Sequence, residues 1–353
     1  MSDVLVVNAG STSLKLSLVD DAGASRRIES FQDVATDVEV VAHRVVHGGF
    51  RFSDPVVVDE NVQAALDELA ALAPLHDRPA LTAIREATRA FPDVPHVAVF
   101  DTAFHRTIPD EASTYALPAR WRDDWGIRRF GFHGLSVQWA AEQVRVPRLV
   151  VCHLGGGCSV TAVRDGRSVD TTMGYSPLEG VPMATRSGSI DAEIVLHLLR
   201  TGTLGLEEVE RALESESGLL GLSGESARVE ALEGSHSPGA RLALGVFAYR
   251  VAAAVASMTA ALGGIDALVF TAGIGEGSAG VRRDVCGRLG FLGVELDAEA
   301  NAAAVPDADI DAPGAAVRVV VLHAREDVVA ARVARLVLSG AAEPHDGVDP
   351  AAG

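Results

Sequence analysis

The chain has 353 residues, 48% of them hydrophobic, with a formal net charge of −18 and a pI near 5.0. That length suggests two domains, each large enough to bury its own core, and the acidity argues against binding to nucleic-acid backbones or anionic membranes. Three cysteines, Cys152, Cys158 and Cys286, are too few for a disulfide framework and match no zinc spacing, so a reduced, cytoplasmic protein is expected.

The N-terminal MSDVLVVNAG has no basic leader and no long apolar run, unlike a signal peptide. Residues 4–8, VLVVN, read as a buried strand, AGSTS as a small-residue turn, and LKLSLVD as an alternating second strand. Between Glu60 and Leu72, apolar residues recur at helical spacing, and VAVFD (97–101) is a strand ending in an acid. LVVCH (149–153), the turn LGGGCS and VTAVRDG then repeat the opening unit, aligning Asn8 with His153 and Gly10 with Gly155. A strand–glycine turn–strand unit at the start of each half suggests a duplicated two-domain α/β fold. Gly239 to Leu262 reads as a long buried helix, because Arg250 and small residues interrupt its apolar run. ALVFT (267–271) is a strand leading into AGIGEGS, VRVVVL (317–322) a further strand, and Glu326 to Leu338 a closing helix. The remainder, from Gly340, is small and polar and is expected to be disordered.

Three glycine-rich turns thus follow strands: NAGSTS, HLGGGCS and TAGIGEGS. Such turns let backbone N–H groups approach phosphate oxygens. One of them lies beside Lys15, the only lysine among 30 basic residues; a compact ammonium has been kept where guanidinium serves everywhere else. The glycine directly before lysine that a P-loop needs is missing, since Leu14 precedes Lys15. Arg44, Asp101, His133 and Arg186 stand in glycine-flanked or strand-end motifs. Singly, Arg44 could be a strand-edge charge, His133 a turn residue and Arg186 a partner of Asp191. Together they supply what phosphoryl transfer between two anions requires: guanidiniums for charge, an imidazole donor, and an acid to orient the array.

In order along the chain, NAGSTSLK, AHRVVHGG, LAPLHD, AVFDTAFH, GFHG, CHLGGG, GYSPLEGVPMATRSGSID and FTAGIGE resemble the signature stretches of the acetate kinase family. The resemblance runs from the first strand to the last helix. It implies the duplicated actin-like ATPase (ribonuclease H-like) fold of the acetate and sugar kinase/Hsp70/actin superfamily, with domains closing over a nucleotide. Domains are expected at 1–148 plus 325–340 and at 149–324, with 341–353 as tail. The implied reaction is reversible, direct phosphoryl transfer between ATP and acetate, giving ADP and acetyl phosphate, with Mg²⁺ (or Mn²⁺) as cofactor and a homodimeric assembly. Propionate or butyrate kinase and a non-catalytic nucleotide-binding relative are the alternatives.

Carried onto this chain, the resemblance gives Asp101, His133, Arg186 and Arg44 the catalytic roles. It gives Asn8 and Glu326 the metal, and Lys15, His153, Leu154, Gly155, Gly156, Gly157, Gly273, Ile274, Gly275, Glu276 and Gly277 the nucleotide. Val46, Leu75, Phe132 and Pro177 match the apolar pocket for the acyl methyl group. The chain departs from the family pattern chiefly on the nucleotide side. Gly156 and Gly277 replace Asn, Arg228 and Glu230 reverse an Asp-x-Arg pair, and Ala324–Asp327 replaces Thr-Asn-Glu-Glu. It is also shorter between Lys15 and His43.

Overall fold

The computed structural model describes residues 3–9, 14–35, 37–49, 51–72 and 74–340, with side chains at all of these except 69–78. The expected turn residues 10–13 and the expected tail 341–353 lie outside this set. Two compact units are present: Met1–Ala103 with Arg325–Gly353, and Phe104–Ala324. The first break therefore falls well before the expected 148. The reason is the helix Gly134–Val144, whose Val137, Ala140, Ala141 and Val144 share a core cluster with Leu149, Val151, Ala267 and Val269 of the second unit.

The first unit is built on six strands: β1 (Asp3–Ala9), β2 (Leu14–Val19), β3 (Ser25–Ile28), β4 (Val38–Val45), β5 (Val56–Val57) and β6 (His96–Phe100). Their order in the sheet is β3-β2-β1-β4-β6-β5, with β1, β4 and β6 parallel and the others antiparallel to their neighbours. The parallel strands are nearly continuous apolar runs because both faces of the sheet are covered. Leu5, Val7, Leu16, Leu18 and Val41 pack with Ala83 and Ala87 of the helix Pro74–Ala90. The helix Glu326–Leu338, with Val329, Ala330, Ala331 and Ala334 buried, packs against β1, β4 and β6.

The second unit repeats this plan with β7 (Arg148–Leu154), β8 (Cys158–Arg164), β9 (Arg167–Thr171), β10 (Ala267–Thr271), β11 (Ala308–Asp309) and β12 (Arg318–Val321). Its order, β9-β8-β7-β10-β12-β11, matches the first sheet strand for strand: an antiparallel meander, two parallel additions, then a short antiparallel edge. The long helix runs Pro238–Leu262, started by Ser237, whose Oγ accepts from the Ala240 N–H at 3.0 Å, and by proline in its first turn. By length and composition it could cross a membrane. Here Phe247, Val251, Val255, Met258 and Leu262 are buried and it packs against β7, β8 and β9, as a core helix does.

Two histidines lie inside the first unit. His96 Nε2 is 3.1 Å from the Phe91 carbonyl, which can only accept, so Nε2 carries the proton. His96 Nδ1 then accepts from His43 Nε2 at 2.8 Å, and His43 Nδ1 is left bare, with no partner among the described residues. Burial pushes the His43 imidazole down to about 3, with His96 adding to the shift; in the second unit burial pushes His105 down to about 4. The folded chain thus excludes protons that the unfolded chain takes up below its ordinary histidine pKa of 6.5. Stability from these groups is complete above that value and falls as pH drops from 6.5 toward 4, by about 1.4 kcal/mol per unit for each excluded proton. Thermal unfolding followed across pH 7.5 to 4.5 is expected to show this decline. His43→Gln, which keeps a donor for His96 but does not titrate, should make it shallower; an unchanged slope would remove His43 as a cause.

Candidate active site

In the first unit the strand register makes one polar row. Asn8, near the carboxyl end of β1, pairs with Lys15 on β2 and with Arg44 on β4; register partners project from the same face of a sheet. Asp101 follows directly after β6. Polar groups at the carboxyl ends of parallel strands are where α/β folds place ligands. Arg44 and Asp101 form a two-point pair: Arg44 Nε donates to Asp101 Oδ1 at 2.9 Å and Nη2 donates to Oδ2. Arg44 Nη1 donates to Asn8 Oδ1 at 3.0 Å, and Asn8 Nδ2 donates to Glu326 Oε2 at 3.3 Å. Glu326, opening the last helix, is also 3.6 Å from Arg44 Nε. Burial works against the Arg44 charge, but Asp101 and Glu326 outweigh it and hold the guanidinium above its ordinary pKa. Asp101 is only 1% exposed. These bonds use three of the five Arg44 N–H groups and leave one on each Nη, an end-on pair suited to two oxygens of an anion. Lys15 is exposed and makes no ion pair among the described residues.

The second unit places its own row in the equivalent strands: His153 pairs with Ser159 on β8 and Thr271 on β10. His133 stacks on His153 with ring centroids 3.9 Å apart. Each imidazole is oriented by a serine, His133 Nδ1 with Ser159 Oγ at 3.0 Å and His153 Nδ1 with Ser136 Oγ at 2.8 Å. His133 holds a left-handed backbone, φ 61°, immediately before the helix Gly134–Val144. This conformation is costly for a non-glycine residue and is typical of functional positions.

After His153 and Leu154, the Gly155–Gly157 turn closes the β7–β8 hairpin, with the Gly155 N–H donating to Gly157 O at 3.0 Å. The N–H groups of Gly156 and Gly157 have no acceptor among the described residues. A Cβ at Gly157 would stand 3.3 Å from His133 Nε2 and 3.5 Å from Arg186 Nη1, so turn, imidazole and guanidinium are immediate neighbours. The Arg186 guanidinium has no hydrogen-bond partner among the described residues. Burial lowers its pKa, and Glu214 only partly opposes this. Asp191 is not its partner: that side chain caps the helix Ala192–Arg200 by accepting from the Glu193 N–H at 2.9 Å. A partly buried cation left in this state is poised for an anion.

The third glycine segment differs from the expected turn, for Ala272–Gly277 is a short helix entered through Ala272 at φ 65°. Glu276 closes it. Its carboxylate accepts from the Ala272 N–H at 2.9 Å, the Ala324 N–H at 3.0 Å and His323 Nδ1 at 2.7 Å, so this side chain is engaged within its own unit. Arg282, 1% exposed, donates to the carbonyls of Gly275 and Glu276 and anchors the same helix. A Cβ at Gly156, Gly273 or Gly277 would meet nothing within 4 Å. Arg228 and Glu230 form an exposed pair 3.6 Å apart. Among the apolar candidates, Val46 follows β4 in the first unit, while Phe132 and Pro177 are buried in the second. The Leu75 side chain lies outside the described residues.

Sequence reasoning missed the orienting serines, although each lies close to a recognised motif. It also missed Tyr115, Arg129 and Glu179: Glu179 lies within GYSPLEGVPMATRSGSID, but its pairing with Arg129 and Tyr115 spans 50 and 64 residues. Among the described residues no three His, Cys, Asp or Glu side chains form a metal cage. Glu326 beside Asn8 offers oxygen donors of the sort a hard divalent ion takes when phosphates and water fill its other positions.

A family model described as "Acetokinase family" matches residues 24–332. An acetate kinase of Deinococcus deserti is 48% identical over 320 residues, covering 87% of this chain and 80% of that relative. One of Nostoc punctiforme is 44% identical over 306 residues, covering 84% and 75%. Among solved structures, a propionate kinase from Francisella tularensis subsp. tularensis aligns over 95% of this chain and 99% of its own, with TM-score 0.88 and 32% identity. Porphyromonas gingivalis acetate kinase aligns over 96% and 100%, with TM-score 0.84 and 30% identity. The architecture is thus the two-domain actin-like ATPase fold.

Proposed function

The chain belongs to the acetokinase family, and we propose that it is an acetate kinase in which the two polar rows divide the work. The enzyme transfers a phosphoryl group between a nucleotide and a carboxylate. The observation that carries the assignment of roles is Arg186, partly buried and without a hydrogen-bond partner among the described residues, beside His133 and the N–H groups of Gly156 and Gly157. Arg186 and His133 take the charge of the moving phosphoryl group, the task of a preorganised anion site. Arg44 offers its end-on N–H pair to the acceptor carboxylate. That acceptor is already an anion at neutral pH and needs no general base. Asp101 agrees with this: both of its oxygens are committed to Arg44, so it positions the guanidinium and does not abstract a proton. The phosphorus–oxygen bond to the nucleotide breaks as the bond to the carboxylate oxygen forms, in line, without a phosphorylated residue.

Lys15, His153, Leu154, the Gly155–Gly157 turn and residues 273–277 are assigned to the nucleotide. For Glu276 the assignment is indirect, through the helix it closes. Val46, Leu75, Phe132 and Pro177 are assigned to the acyl chain. The family uses a divalent metal; we assign Mg²⁺, replaceable by Mn²⁺, to Asn8 and Glu326, and when bound it would neutralise phosphate charge. We further assign the enzyme to the cytoplasm, as a homodimer that engages neither nucleic acid nor membrane, a reading its acidity supports.

A panel of acids and donors, read by trapping the acyl phosphate with hydroxylamine, tests the assignment. Acetate is expected to give the highest kcat/KM, with propionate within about 10–200-fold, since one methylene is worth only about 1–3 kcal/mol. Among donors, ATP, GTP and ITP are expected to fall within about tenfold of one another, because each side chain lost at Gly156 and Gly277 removes roughly 0.5–1.5 kcal/mol of recognition. Propionate exceeding acetate would reassign the substrate. A preference for ATP above about 100-fold would show that other residues read the base.

A further inference from the structure

We propose that Glu179, held between Arg129 and Tyr115, is a positioning residue that sets acceptor size in the second unit. The inference rests on the carboxylate-kinase reading above.

Glu179 lies in the loop that leaves β9 and carries Pro177. Arg129, 16% exposed at its side chain, donates from Nη1 to three successive carbonyls, Thr171, Thr172 and Met173, at 3.0–3.1 Å, and from Nη2 to Glu179 Oε1 at 3.0 Å. The other carboxylate oxygen accepts from the Tyr115 hydroxyl, and that hydroxyl accepts from the Tyr175 N–H at 2.9 Å. Arg129 also lies over the Tyr115 ring, 5.5 Å from its centroid. One arginine and one tyrosine, both outside the loop, therefore hold its start at 171–173, its middle at Tyr175 and its end at Glu179. Pro177, the buried apolar residue assigned to the acyl chain, sits inside that span. Gly174 has no room for a side chain, since a Cβ there would collide with Glu179 and Tyr115.

The hold passes on to the segment that carries Arg186. The next residue, Gly180, donates its N–H to Ser189 Oγ at 3.1 Å and accepts from the Ser189 N–H at 2.8 Å, three residues beyond Arg186. Burial and Glu179 both raise the Tyr115 pKa, so the phenol stays a donor across the working range. None of Tyr115, Arg129 or Glu179 belongs to the reacting set. Their geometry acts through Pro177, with a lesser effect through Arg186.

Tyr115→Phe and Glu179→Gln, each in the full-length enzyme, test this with acetate, propionate and nucleotide kinetics measured in parallel. KM for acetate is expected to rise about 5–20-fold, and the acetate-over-propionate ratio of kcat/KM to fall at least about fivefold, with nucleotide KM within twofold of wild type. A merely structural role would lower active-enzyme concentration, and so apparent kcat for all substrates, while leaving the acid ratio unchanged. An active wild-type enzyme whose two variants keep both acetate KM and acid ratio overturns the inference alone. A wild-type enzyme that phosphorylates no short acid overturns the underlying reading and the inference with it.

Discussion

Arg186→Ala is expected to keep the wild-type unfolding temperature and to lose about 10²–10³ in kcat, the usual cost of removing one preorganised charge partner of a transition state. The two halves of that expectation have separate causes. Stability is spared because the guanidinium makes no hydrogen bond among the described residues and burial already disfavours its charge; deleting it strands no hydrogen-bond partner among them and removes only the attraction to Glu214, which is itself weakened by burial. Activity falls because the turn at Gly155–Gly157 and the imidazole of His133 then face the phosphoryl group without the adjacent cation. Circular dichroism melting and steady-state kinetics on one preparation decide the matter. Near-normal kcat in a folded variant would remove Arg186 from the site.

Asp101→Asn is expected to do the opposite on stability, and to lower kcat further than His133→Ala. Asp101 is 1% exposed and gives both oxygens to Arg44. An asparagine keeps the shape but presents an N–H group where one Arg44 N–H now donates, and it removes the charge that offsets the guanidinium. Breaking a buried pair in this way costs about 3–5 kcal/mol, so the first unit should melt lower. The released Arg44 should then lose its end-on presentation to the carboxylate. His133→Ala, in contrast, removes one donor and leaves both cations in place. An Asp101→Asn enzyme with more than a small fraction of wild-type turnover would show that Arg44 does not need this anchor.

Much of the frame was legible because it depends on local pattern. The strands β1 and β7 are nearly continuous apolar runs followed in the sequence by small residues, and their equivalence led directly to the duplicated sheets. The residues proposed as the reacting set could be picked out because they sit at strand ends or in long motifs. Pairings across distance were hidden: Arg44 meets Asp101 57 residues on, and Arg129 and Tyr115 meet Glu179 across 50 and 64 residues. The boundary expected at 148 was misplaced for a related reason. The apolar face of Gly134–Val144 can be read from spacing, but the sheet that covers it is known only once the chain is folded. Residues 272–277 read as a turn because glycine disfavours helix. Glu276 overrides that preference by accepting from two backbone N–H groups, one of them 48 residues away in sequence.

The most direct measurement is the stoichiometry of the wild-type reaction. Purified enzyme would be given ATP, acetate, Mg²⁺ and hydroxylamine, with ADP and acetohydroxamate quantified in the same samples. One hydroxamate for each ADP, with ADP formation dependent on acetate, is the predicted result. ADP released at the same rate without acetate, or with no hydroxamate, would contradict phosphoryl transfer to the carboxylate and leave only a nucleotide-hydrolysing relative.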